Sequence, residues 1–66
     1  MNNAQTEEAQ IIRAKLDAHG FRLMGLPEMK KGEQFLLLRY LQKNEFNENE
    51  MNGVAKLFEC RLVKNG

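Results

Sequence analysis

The chain has 66 residues, 42% hydrophobic and 29% charged, with ten Lys or Arg against nine Asp or Glu and a formal net charge of +1. Such a length supports one small domain, 1–66, whose core buries only about 60% of the surface exposed on unfolding, so help from a partner is expected. The single cysteine, Cys60, excludes an internal disulfide and a thiol-rich metal site, and the near-neutral charge gives nucleic acid no broad electrostatic hold.

The polar start MNNAQTEEAQ and the lack of any apolar run of membrane-spanning length point to a soluble, cytoplasmic protein with no membrane partner. Residues 1–5 and 65–66 read as flexible ends. The first element is a helix over 7–19. Thr6 stands where an N-cap belongs, Glu7 and Glu8 bring negative charge to the first turn, and Ala9, Ile12, Leu16 and His19 fall on one stripe. Gly20 supplies the left-handed residue that closes such a helix, and Phe21 folds back onto it.

A short strand follows at 21–26, interrupted by Gly25 and Pro27, because proline cannot donate to a ladder. Met29 to Glu33 suits a reversal with Gly32 at its turn. The run EQFLLLRYLQK is ambiguous, since seven nearly continuous bulky residues fit a buried strand or a buried helix. The run FNENEMNGVAKLFECRLV is ambiguous in another way. Asn47 with Glu50, and Phe46 with Met51, make a helix start with a cap and a hydrophobic staple. Asn49, Asn52 and Gly53 then cost that helix roughly 2 kcal/mol relative to alanine. A strand reading gives Phe58, Cys60 and Leu62 on one side and Glu59 and Arg61 on the other, with Asn52-Gly53 as the turn.

The strand reading is adopted for 34–41 and for 54–63, with a polar loop over 43–53. The expected fold is therefore α+β: one N-terminal helix packed on a three-stranded antiparallel sheet, Phe35 to Leu41 in its centre. The alternative is an all-α three-helix module. Ile12, Leu16, Phe21, Leu23, Phe35, Leu37, Leu41, Phe58, Cys60 and Leu62 are the core candidates.

No chemistry assembles. His19 has a structural explanation at a helix C-terminus, serine is absent, and the one threonine sits at a cap. Cys60 on the buried side of a strand behaves as a small hydrophobe. The five glycines match no phosphate loop or dinucleotide fingerprint. No catalytic residue, metal ligand, cofactor or small-molecule substrate is expected, and the protein is read as no enzyme.

The charges divide unevenly: +2 over residues 1–44, −3 over 45–52 and +2 over 53–66. Glu45, Glu48 and Glu50 form a local acidic patch, which with Arg39 and Arg61 makes the candidate partner-binding surface. The expected function is that of a small non-catalytic regulatory or accessory protein, binding another protein or a second copy of itself as a homodimer that covers a half-shielded sheet. The alternative is a helix-turn-helix-like nucleic-acid binder, with helices at 33–43 and 47–60 and Arg39, Lys43, Lys56, Arg61 and Lys64 on phosphates.

Overall fold

A computed structural model describes residues 6–65. The elements run α1 (Glu7–Ala18), β1 (Phe21–Met24), a 3-10 turn at Leu26–Glu28, α2 (Lys31–Lys43), α3 (Glu48–Leu57) and β2 (Arg61–Lys64). The chain is thus mixed α+β, with three helices and a two-stranded antiparallel sheet among the described residues. The flexibility expected of residues 1–5 and of Gly66 lies outside the described residues. Asn65 is held in place: its N–H donates to Gly20 O at 2.8 Å, and its side-chain amide donates to Asp17 Oδ1 and to Phe21 O.

Helix α1 follows its sequence. Thr6 Oγ1 accepts from Ala9 N at 3.0 Å, Ala9, Ile12 and Leu16 are buried, and Gly20 adopts φ 81° just past the end. Gly25, at φ 95°, turns the chain out of β1 into the proline-containing 3-10 turn. That left-handed step is open to glycine without the clash a Cβ would bring.

The strand expected over 34–41 is instead the body of α2. Its buried residues, Gln34, Leu37, Leu38 and Leu41, stand at i, i+3, i+4 and i+7, the spacing of one helix face. Leucine, lysine, glutamine and arginine favour helix because their unbranched Cβ loses little rotamer freedom there. Gly32 accordingly sits in the first turn of α2 and makes no reversal, and Glu33 Oε1 accepts from Lys30 N at 3.2 Å to tie down that end. Phe35, expected in the core, is 48% exposed.

The strand over 54–63 and the loop over 43–53 are corrected as well. Asn47 Oδ1 accepts from Glu50 N at 3.1 Å and starts α3, Met51 is buried, and Phe46 packs beside the same core. Asn52-Gly53 lies inside that helix and is no turn. The cap, the staple and the burial of Met51 and Ala55 outweigh the propensity cost. Only Arg61–Lys64 is extended, pairing with β1 in the register Phe21↔Lys64, Arg22↔Val63, Leu23↔Leu62 and Met24↔Arg61. No third strand exists among the described residues, so neither the three-stranded sheet nor the all-α alternative is the fold.

The core joins α1, β1, α2 and α3. Ile12, Leu16, Phe21, Leu23, Leu37 and Leu41 lie in it as expected, while Phe58, Cys60 and Leu62 pack at its margin. Ala9, Leu26, Met29, Leu38, Met51 and Ala55 complete it. Gln34, only 1% exposed, is its one buried polar residue among those described; its amide donates to Leu26 O at 3.0 Å and Met29 O at 3.2 Å, and Thr6 Oγ1 donates to its Oε1. Every hydrogen-bonding group of this side chain thus finds a partner, which is what makes its burial tolerable.

Candidate interaction face

Once the core is closed, several large apolar side chains remain outside it. Leu57 is 82% exposed, Leu36 59%, Phe35 48% and Met24 46%. Two of them belong to one face. On α2, Glu33, Leu36 and Tyr40 follow at three- and four-residue steps, and on α3, Glu50, Val54 and Leu57 do the same, so each set shares one side of its helix.

Two observations bring these sides together. The Tyr40 hydroxyl donates to Glu50 Oε1 at 3.3 Å, joining the C-terminal half of α2 to the first turn of α3. Glu33 and Leu57 line a common depression of about 530 Å³ with Glu28, Met29, Phe58 and Glu59. The start of α2 therefore lies near the end of α3, and the end of α2 near the start of α3. The helices run antiparallel on either side of a face bearing Leu36, Tyr40, Val54 and Leu57.

Carboxylates rim this face. Glu33 and Glu50 stand beside its two ends, and Glu28 and Glu59 line the depression next to Leu57. Lys30 shares that depression, and Lys43 continues the α2 stripe one turn beyond Tyr40. Tyr40 is held above the usual phenol pKa, first by partial burial and then by the charge and hydrogen bond of Glu50. Its hydroxyl therefore keeps its proton at neutral pH and donates.

The rim contains an unusual backbone residue. Glu59 adopts φ 59° just after α3, where its N–H donates to Lys56 O at 3.0 Å and the Cys60 N–H donates to Ala55 O at 2.8 Å. This is a Schellman ending with glutamate where glycine is usual. A left-handed non-glycine residue costs about 1 kcal/mol, and the turn aims its carboxylate beside Leu57. Cys60 follows, its thiol donating to Phe58 O at 3.4 Å. Burial, then Glu33, Glu28 and Glu59, push the Cys60 pKa above the ordinary thiol value, which favours the unreactive protonated form.

The residues singled out in the sequence are dispersed. Glu48 and Glu50 share the first turn of α3, and Glu50 belongs to the face just described. Glu45 lines a different cleft, with Lys15, His19 and Phe46, near the ends of α1 and α2. There the rings of His19 and Phe46 stack at 4.6 Å, so the histidine serves packing. Arg39 sits over the Phe35 ring at 5.9 Å, and Arg61 begins β2 opposite Met24. Sequence reasoning missed Leu36, Tyr40, Val54 and Leu57. The signal for Leu36 was present, because the stripe of Gln34, Leu37, Leu38 and Leu41 leaves it off the buried face.

Among the described residues no group of three or more His, Cys, Asp or Glu is placed to hold a metal ion, and no helix is long and apolar enough to cross a membrane. Comparison with protein-family profiles, curated proteins and solved structures finds no match to this chain, so its functional reading rests on its own residues.

Proposed function

We propose that this chain is a small non-catalytic accessory or regulatory protein that acts by binding another protein chain, a second copy of itself included, through the α2–α3 face. Among the described residues there is no half-covered three-stranded sheet for a partner to cover. The support is different: Leu36, 59% exposed, and Leu57, 82% exposed, fall by helical spacing on the same sides of α2 and α3 as Tyr40 and Val54, and the Tyr40–Glu50 hydrogen bond joins those two sides. Contiguous exposed apolar surface rimmed by polar groups is characteristic of protein-binding sites.

A photo-crosslinking residue placed at Leu57, compared with one at the exposed Gln10 on α1, tests this in cells. A protein adduct at Leu57 and none at Gln10 is the expected result. Adducts at both positions, or at neither, would remove the reading.

A second reading retains one favourable observation: α2 and α3 are both helical and joined by residues 44–47, as a helix-turn-helix-like nucleic-acid binder requires. It ranks lower because α3 opens with Glu48 and Glu50 at the end from which a reading helix meets bases. Its cations are also spread over α2, α3 and β2. Salt-steep binding of duplex DNA or RNA, weakened by Arg61→Glu or Lys64→Glu, would reverse the ranking.

A further inference from the structure

We infer that the partner seated on the α2–α3 face is a basic amphipathic helix belonging to a different protein. This rests on the protein-binding reading and names the chemistry of the occupant. Four carboxylates, Glu28, Glu33 and Glu59 beside Leu57 and Glu50 beside Tyr40, stand against three cations, Lys30, Lys43 and Arg39, the last one turn along α2 from Leu36. An apolar centre with a net acidic rim is complementary to a leucine-rich stripe flanked by Lys and Arg.

The shape favours a rod. The apolar side chains recur one helical turn apart on both α2 and α3, and the depression beside Leu57 gives a side chain somewhere to seat. A partner helix lying along the face presents anchors at matching three- and four-residue steps. An added strand would need an unpaired ladder edge, and the two free edges of this sheet belong to β1 and β2, whereas the apolar residues of the face stand on α2 and α3.

Charge also argues against a second copy. A two-fold pairing through this face sets Glu33, Glu50 and Glu59 against the same acidic rim, because a symmetric interface matches each patch with itself. Like charges so placed oppose association.

The test uses the full chain and two synthetic helical peptides. Both carry leucines at every third and fourth position; one has lysine and arginine on its remaining faces, the other glutamate. The basic peptide is expected to bind at least about tenfold more tightly than the acidic one, a difference near 1.4 kcal/mol. Neutralising Glu33→Gln, Glu50→Gln and Glu59→Gln together should remove most of that preference while keeping hydrogen-bond acceptors in place. Leu57→Ala should weaken both peptides without unfolding so exposed a site, and Arg61→Glu should weaken neither. Equal binding of the two peptides, or resonance shifts on binding that map to β1 and β2, overturns the inference. A crosslink from Leu57 to a second copy of the chain also overturns it and leaves the protein-binding reading standing, whereas no adduct at all removes both.

Discussion

Thr6 donates its hydroxyl proton to Oε1 of Gln34, 28 positions along the chain, while the same oxygen accepts from Ala9 N. The cap of α1 and the buried polar group of α2 are therefore one network, completed by Leu26 O and Met29 O. Replacing Gln34 by leucine fills the space but strands three partners, and should cost about 2–4 kcal/mol in urea unfolding. Thr6→Ala should cost about 1 kcal/mol through the cap alone. In a double-mutant cycle the two changes should fall short of additivity, because they break the same contact.

Phe46 stacks on His19 at 4.6 Å and tilts against Phe21 at 5.2 Å, so the short link between α2 and α3 is pinned to the end of α1. Phe46→Ala should destabilise the fold by about 2–3 kcal/mol, with His19→Ala costing less because the imidazole is exposed. Thermal denaturation of both variants checks the order.

Glu59 holds a left-handed conformation that glycine adopts without strain. Glu59→Gly should raise stability by up to about 1 kcal/mol, the relief of backbone strain being partly offset by the looser unfolded chain. The same change should weaken binding of the basic peptide, separating a contribution to binding from one to folding.

Alkaline pH should destabilise the protein. Cys60 and Tyr40 both have pKa values raised by the fold, so the folded state holds their protons more tightly than the unfolded chain does. Their contribution is complete below the ordinary values and is lost as pH rises from about 9 through the raised ones. Urea midpoints measured from neutral pH upward should fall over that range. In parallel, Cys60 should alkylate more slowly than an unstructured thiol at mildly alkaline pH, and Glu59→Gln should speed it slightly.

How much of this was legible varies by segment, for physical reasons. Helix α1 carried its own cap, stripe and terminator, and needed no tertiary context. Between Glu28 and Gly53 the chain contains no valine, isoleucine or threonine, a bias against strand that the apolar run of α2 concealed. Phe35 and Leu36 created that concealment: being apolar yet exposed, they made one buried helix face look like a strand buried on both sides. For α3, the cap at Asn47 and the staple of Phe46 and Met51 are visible in the sequence, but the burial of Met51 and Ala55 that outweighs the cost of Asn52 and Gly53 is disclosed only by the fold. Gln34 could not be assigned to the core from sequence, since its partners lie on two other segments, the cap of α1 and the 3-10 turn. Glu50 was legible as an exposed residue. Leu57 was not, because an apolar residue left in water resembles any core residue until the core is closed.

The β1–β2 ladder spans the whole of α2 and α3 in sequence, although each strand is only four residues long. Bringing those strands together closes nearly two-thirds of the chain into a ring, so the ladder raises contact order and should form late, after the helices have collapsed. Truncation after Cys60 would remove that clasp. The helices would then fray from one another in separate steps, and the truncated chain should melt over a broader range than the intact one.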